Sequence, residues 1–391
     1  MGHLKVLHVV AAMDPQMGGV CKAVQMMIAG LDKNCCLNQT VSLDTFDAPY
    51  LASYSFQIHA LGSGKTAWQY NRGLLGWLQL NLCNYDVVII HGLWLYTSYA
   101  VRKAARVLLS RNEKIPRVFV MPHGMLDPYF QKTSGRKLKA IRNWLFWKFI
   151  ESKVIRNSDG LLFTCEMEKI LARKTFTPYE PKKESVVGLG VDAQPDYKEA
   201  MTDAFQKKFG LKVPKNYLLY LGRVNEKKGI DLLVKAYLNL REAQFKLPAL
   251  VIAGPGLETL YGQQIERLAS RSSDIFVVGM LDGDAKWGAF YDCQAFVLPS
   301  HQENFGIAVV EALGCGKPVL ISNQVNIWKE IEDGKAGIVM ENSLTGTIEL
   351  LKRWVSLTKG EKKVMSQNAK KVFDSTFNIN KSTERLLEAI A

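Results

Sequence analysis

Two glutamates eight residues apart, Glu303 and Glu311, flank an apolar turn in SHQENFGIAVVEALGCGKPVLIS, residues 300–322. Paired carboxylates beside a glycine turn can be the acid and base of a glycoside hydrolase. They can also be two separate ligand-holding groups that share a helix. The pattern ends a strand at Ser300, turns through Asn304, Phe305 and Gly306, and starts a helix running from about Ile307 to Gly314. Glu303 then precedes the helix, and Glu311 lies roughly 7–12 Å further along its axis at ~1.5 Å per residue. A retaining hydrolase needs its carboxyl groups about 5–5.5 Å apart, so this spacing does not suit one. Free N–H groups at that helix start and the helix dipole favour an anion there.

Fixed cations point to the same kind of ligand. LGRVNEKKGID, residues 221–231, follows a strand pattern and places Arg223 and Lys228 at its carboxyl end, with Gly229 permitting the turn into the next helix. A planar guanidinium and a point charge five residues apart suit a pyrophosphate; the alternative is a solvated surface pair. AGPG, residues 253–256, follows the next strand, and its Gly254 and Gly256 would expose backbone to a nearby ligand.

Three other motifs carry less. GSGKT (62–66) sits between an apolar run and a helix, but a phosphate-cradling loop needs glycine where His59 stands. DGD (282–284) resembles a metal-holding Asp-x-Asp, yet it reads better as a helix start with Asp284 as N-cap and Gly283 in a turn. AAMDPQMGGV, after the first strand, lacks a GxGxxG pattern, although Gly18 and Gly19 at a helix start still let an anion approach the backbone.

The elements that must position these residues alternate throughout. Apolar runs at 5–10, 86–92, 117–124 and 160–165 precede amphipathic helical stretches, and the rhythm resumes at 216–223, 249–256, 275–280, 295–300 and 318–322. Repeated βα units predict α/β architecture with parallel, doubly wound sheets. A Pro- and charge-rich stretch at 176–200 interrupts the rhythm, so the expectation is two Rossmann-like domains facing a cleft, 1–190 and 191–375, with a C-terminal helix of about 376–391 packing back on the first. A chain of 391 residues is long enough for two cores.

Composition narrows the partners. A net charge of +13 favours anionic ones, and 48 % hydrophobic residues exclude disorder. Seven scattered cysteines without a CxxC pair indicate neither a disulfide framework nor a zinc site, and fit a reducing compartment. The first apolar run is too short for a signal peptide, and no window approaches the ~20 apolar residues of a membrane span. Part of the positive charge is local. Between 131 and 157, Lys132, Arg136, Lys137, Lys139, Arg142, Lys148, Lys153 and Arg156 face the single acid Glu151. Leu138, Ile141, Trp144, Leu145, Trp147, Phe149 and Ile150 recur there at helical spacing. This reads as a basic amphipathic helix that would lie on an anionic membrane, or alternatively as a core-packing helix with a solvated face.

GRVNEKKGID, AGPG, the stretch from VLPSHQENFG to GKPVLIS and the VVGLGVD linker resemble the family-4 retaining glycosyltransferases of GT-B fold, Glu303 and Glu311 matching that family's Glu-x7-Glu signature. The likeness is specific over 216–340. It is looser in the N-terminal half, where Gly18–Gly19 and MPHGMLDPY (121–129) are similar to polysaccharide-building members. The resemblance implies that Arg223 and Lys228 neutralise a donor diphosphate, that Glu311 binds the nucleotide ribose, and that Glu303 touches the donor sugar. It implies further that Asn304, Phe305, Gly306, Ile307, Gly254, Gly256, Gly18 and Gly19 line the donor site, with His123 approaching the sugar from the N-terminal domain. The expected reaction is metal-independent, cofactor-free transfer from a UDP- or GDP-sugar to a saccharide or lipid-linked acceptor in cell-surface polysaccharide synthesis. It would take place in the cytoplasm or at the inner face of the membrane, with no nucleic-acid partner. The alternatives are a GT-B sugar-nucleotide epimerase or hydrolase, and an NTP-driven module using Lys65. GLGVD stands where many members have Asn-Gly-Val-Asp.

Overall fold

The computed structural model describes residues 3–15, 18–132, 137–209 and 214–391. The chain forms two compact units, one of residues 1–190 with 379–391, the other of 191–378. Each is built on one parallel sheet.

In the first unit, β1 (Lys5–Val9), β2 (Leu37–Ser42), β3 (Gln57–Ala60), β4 (Val87–His91), β5 (Arg117–Met121), β6 (Gly160–Phe163) and β7 (Glu184–Val186) lie in the order 3-2-1-4-5-6-7. In the second, β8 (Tyr217–Leu221), β9 (Ala249–Ala253), β10 (Ile275–Gly279), β11 (Ala295–Leu298), β12 (Val319–Ser322) and β13 (Gly337–Met340) lie in the order 10-9-8-11-12-13. Central strands such as Val87–Ile90 and Tyr217–Tyr220 are fully buried, because helices cover both faces of a parallel sheet. That is why they appear in the sequence as unbroken apolar runs. In such a sheet, ligands sit beyond the carboxyl ends of the strands where the order reverses, between β1 and β4 in one unit and between β8 and β11 in the other.

The helix Ile379–Ile390 belongs to the first unit. It packs on the helix Gly19–Asp32, where a side chain at Gly30 would strike Thr383 Oγ1 at 2.1 Å. Gly188 and Gly190 of the linker lie against the same helix; a Cβ on Gly190 would come within 2.6 Å of the Ile379 Cα. The GLGVD glycines are therefore required by this close approach.

GSGKT does not open a helix. Lys65 and Tyr70 exchange backbone hydrogen bonds of 2.7 and 2.8 Å across a small loop, and the next helix, Arg72–Asn81, is capped by Asn71. A P-loop needs its Lys-Thr in the first helical turn, so the NTP-driven reading loses its structural basis. In DGD the N-cap position falls to Asp282 and the helix is Gly283–Asp292, so Asp284 lies in the first turn rather than at the cap. Gly283, with φ +48°, is the first residue of the helix, which therefore begins one residue earlier than the sequence pattern places it.

The basic stretch is a broken helix. Lys137–Phe146 is α-helical, Trp147–Glu151 forms a π-turn and Ser152–Asn157 resumes the α-helix; Arg136 falls outside the described residues. Trp147 is buried against Phe176 in the core, with stacked rings 4.9 Å apart. By contrast Leu138, Ile141, Trp144, Leu145 and Phe149 are exposed, Leu138 by 84 %. This apolar stripe faces outward, which is not how a core-packing helix is oriented.

Candidate functional site

In the second unit the residues singled out gather at the carboxyl ends of β8 and β11, the two strands that flank the reversal point. After β8 the chain makes a 3-10 turn, Glu226–Lys228, capped by Asn225, whose side chain accepts from the Lys227 N–H. Gly229 closes the turn at φ +66°, and a Cβ there would lie 2.1 Å from the Pro299 carbonyl at the end of β11. The Lys227 carbonyl accepts from the His301 N–H at 2.8 Å, tying the two loops together. Replacing Gly229 with alanine should therefore cost about 2 kcal/mol or more, read as a lower midpoint in denaturant unfolding, because both φ and space oppose a side chain.

That junction brings Lys228 onto Glu303. The two side chains form an ion pair, 25 % and 15 % exposed. Burial pushes the Glu303 carboxyl up, but the charges of Lys228 and Lys227 and hydrogen bonds from Lys228 and the Phe305 N–H outweigh it, leaving the group below the ordinary carboxylate range. Glu303 is thus an anion in place, held by 2.9 Å bonds from its own N–H to the Gln324 carbonyl and from the Asn326 N–H to its carbonyl. The Asn326 side chain reaches Asn304 Oδ1 at 3.4 Å. Arg223 is exposed, and no partner for its guanidinium is recorded among the described residues.

The helix Ile307–Gly314 starts from Gly306 in the left-handed conformation, with no side-chain cap. Its first bonds run from the Val309 and Val310 N–H groups back to the Gly306 carbonyl, so the N–H groups of Gly306 and Ile307 have no intrahelical acceptor. Phe305 differs from expectation. Its N–H bonds the Glu303 carboxylate, and its ring packs edge-on against Phe377 at 5.7 Å, so it shapes the turn and is not open to a ligand. One turn into the helix, Glu311 pairs with Lys286 at 2.6 Å. Lys286 lies on the helix Gly283–Asp292 over the Trp287 ring at 4.6 Å. No motif marks Lys286, which is 25 residues from its partner.

Gly254 and Gly256 also serve a different purpose from the one expected. A Cβ on Gly254 would lie 1.9 Å from the Gly222 carbonyl, and one on Gly256 2.7 Å from the Val224 carbonyl. Their freedom lets the loops after β8 and β9 interlock, with the Val224 N–H donating to the Pro255 carbonyl at 2.8 Å. They set the path of the Arg223 loop through backbone contact.

In the first unit, Gly18 (φ +103°) precedes the helix Gly19–Asp32, and a Cβ on Gly19 would meet nothing within 4 Å. Gln16 and Met17 lie outside the described residues. His123 follows β5 with φ +52°, and the neighbouring Gly124 N–H donates to Glu168, which also takes the N–H (2.7 Å) and hydroxyl (2.6 Å) of Thr164. This buried carboxylate clamps the histidine turn. His123 hydrogen-bonds His91, which in turn bonds His8. Burial pushes His8 and His123 down to about 4 and His91 well below its ordinary value.

These histidines make the fold acid-sensitive in a definite window. Unfolded, each binds a proton near 6.5; folded, His8 and His123 do so only near 4. Between those values the unfolded chain carries more protons, so stability is complete above about 6.5 and falls as the pH drops towards 4. The shift at fully buried His8 alone amounts to roughly 3 kcal/mol, and urea midpoints measured across this range should decline accordingly.

Two doubly wound units, with cations and an open helix start at one reversal point, form an arrangement suited to a phosphorylated ligand on a Rossmann-like sheet. Residues 201–372 match the model for glycosyl transferases group 1. A D-inositol 3-phosphate glycosyltransferase of Jonesia denitrificans is 29 % identical over 203 residues, 49 % of this chain and 47 % of that protein. The match thus spans about half the length of the relative. A glycosyltransferase structure from Rickettsia africae superposes with a TM-score of 0.76 at 16 % identity, covering 100 % of this chain and 98 % of that one. An Anabaena protein in complex with UDP and glucose does so with a TM-score of 0.72 at 15 % identity, covering 99 % of each. The fold is the two-sheet GT-B architecture of those structures.

Proposed function

We propose that this chain is a retaining glycosyltransferase that moves a sugar from a UDP- or GDP-linked donor to a hydroxyl of a saccharide or lipid-linked saccharide, without a metal. The observation that carries the reading is the arrangement around the 307–314 helix. Its uncapped start lies between two carboxylates already held by lysines, Glu303 by Lys228 and Glu311 by Lys286, with Arg223 on the adjoining strand end. Such a site can receive a diphosphate at the helix start and cations, a ribose at Glu311 and a sugar at Glu303.

In the proposed reaction the bond between the anomeric carbon and the phosphate oxygen breaks and its electron pair stays on the diphosphate. Arg223 and Lys228 stabilise that charge where it grows. The acceptor oxygen bonds the same carbon from the face of departure and gives its proton to the leaving phosphate oxygen. Glu303 is an unsuitable nucleophile because its carboxylate is committed to Lys228. His123 would hydrogen-bond the sugar. Donor binding to the second unit, acceptor binding to the first and a role in cell-surface polysaccharide synthesis complete the reading.

A panel of nucleotide sugars with EDTA tests it. UDP- or GDP-sugars should raise the thermal midpoint equally with and without EDTA, and release of nucleoside diphosphate should require an acceptor. Release without an acceptor would favour a hydrolase, and isomerised donor an epimerase. Inositol phosphates and lipid-linked saccharides are the acceptors to compare, the former because a relative is named for one.

The outward apolar stripe supports a second element of the proposal, peripheral contact with an anionic membrane on its cytoplasmic face. Lys137, Lys139, Lys148 and Lys153 are exposed around Leu138, Ile141, Trp144 and Phe149, which matches the charge of such a surface. Among the described residues no helix is long and apolar enough to cross a membrane. Changing Lys137, Lys139 and Arg142 together to alanine should weaken binding to anionic vesicles by about 100-fold, at ~1 kcal/mol per basic residue. Undiminished binding, or equal binding to neutral vesicles, would refute it.

A further inference from the structure

The three histidines of the first unit form a directed hydrogen-bonded line. His8 lies within β1, His91 ends β4 and His123 follows β5, on strands that are direct neighbours. His8 Nδ1 and His91 Nε2 are 3.0 Å apart, and His91 Nδ1 and His123 Nε2 are 2.9 Å apart. The rings stack with centroids 5.3 and 5.2 Å apart. At the far end His8 Nε2 lies 3.2 Å from Asn38 Oδ1.

Asn38 sets the direction. Its Nδ2 donates to Asp32 Oδ1 at 2.7 Å and to the Cys36 carbonyl at 3.4 Å, and both of these atoms only accept. The amide oxygen must therefore face His8, and it too only accepts. His8 accordingly carries its proton on Nε2 and offers a bare Nδ1. His91 must then donate from Nε2 and accept at Nδ1, so His123 donates from Nε2. A neutral imidazole has one donor and one acceptor, so each step leaves one choice. His123 Nδ1, for which no partner is recorded among the described residues, ends the line as a lone pair. A second proton on His8 Nδ1 or His91 Nδ1 would set two N–H groups against each other at about 3 Å, and burial opposes protonation of all three rings.

We propose that Asn38, His8 and His91 are positioning residues that lock His123 in its Nε2–H tautomer, so that the histidine presents Nδ1 as a hydrogen-bond acceptor at the carboxyl end of the first unit's sheet. The consequence for catalysis rests on the glycosyltransferase reading, in which that atom accepts from a hydroxyl of the bound sugar. The tautomer itself does not depend on that reading. Because Asn38 cannot pass a proton on, the line orients a ring and does not conduct protons.

Nitrogen-15 NMR of the full chain with labelled histidine tests the lock without any assay of transfer. The chain has six histidines, and single substitutions assign their signals. At neutral pH His123 should show a pyridine-like Nδ1 and a pyrrole-like Nε2, and His8 and His91 the same. The opposite pattern, or averaged shifts at His123 in the unaltered protein, would overturn the proposal whatever the variants do. H91F should leave His123 averaging between tautomers, whereas H91Q, whose amide can accept from His123 and donate to His8, should restore the pattern. In sugar transfer H91F should lose about tenfold in kcat/KM, the worth of one hydrogen bond, and H91Q should recover most of it. An intact tautomer in H91F would refute the lock. A correct tautomer with no transfer by the unaltered protein would instead refute only the glycosyltransferase reading.

Discussion

Lys228→Ala should lower sugar transfer by about 100- to 1,000-fold in kcat, the scale on which enzymes lose rate when one group opposite a developing oxyanion is removed. In the free protein the ammonium is paired with Glu303, at the end of a turn fixed by Gly229 and the Pro299 carbonyl. The charge is thus positioned in advance of the proposed donor diphosphate and would cost little reorganisation during transfer. Lys228→Arg should recover part of the rate, because charge is kept while the shape of the donor set changes. Since removal of Lys228 leaves Glu303 with less opposing charge, the carboxyl should move up towards its ordinary value, and stability should fall less steeply than in the unaltered protein as the pH drops below 4.5. Unchanged transfer by Lys228→Ala would remove the centre of the functional proposal.

Glu311→Gln should act on binding. A carboxylate that accepts from the ribose hydroxyls contributes about 1.5–3 kcal/mol, so KM for the donor should rise roughly 10- to 100-fold while kcat stays within a few-fold. The variant keeps the size of the side chain but leaves Lys286, which is 22 % exposed, without its anionic partner. Double substitution with Lys286→Met separates the two effects. If the loss at Glu311 comes from the stranded cation, the second change relieves it; if it comes from the ribose contact, donor affinity stays low. A fall in kcat with KM unchanged would contradict ribose binding by Glu311.

The parallel sheets were legible because their central strands are buried on both faces. Val87–Ile90 and Tyr217–Tyr220 must be apolar at every position, and such runs between amphipathic helices have few other interpretations. The strands without that signal are β2, β3, β7 and β13. LNQTVS and ESV carry polar residues, and β3, β7 and β13 lie at sheet edges, where burial is incomplete. Part of β2's polarity has a tertiary cause, since Asn38 turns inward to His8. The basic stretch at 137–157 was ambiguous because a helical period alone does not say which face turns inward. Packing settled it by burying Trp147 and leaving Leu138 and Trp144 outside.

The sequence by itself determined the candidate residues of the second unit. Glu303 and Glu311 share one loop and helix, and Arg223 and Lys228 share one turn, so local spacing is enough to group each pair. Only the tertiary structure decided what those groups meet. Lys228 finds Glu303 across 75 residues because β8 and β11 are neighbours in the sheet although distant in the chain, and Lys286 finds Glu311 across 25, from the helix before β11 to the helix after it. The same holds for the histidines. KVLHVV and DVVIIHG each show a histidine in an apolar run, but the direction of their hydrogen bonds is set by Asn38 on a third strand. Hydrophobic pattern is a local property and survives in one dimension. Charge pairing and proton placement depend on strand order, which the pattern of any single segment does not contain.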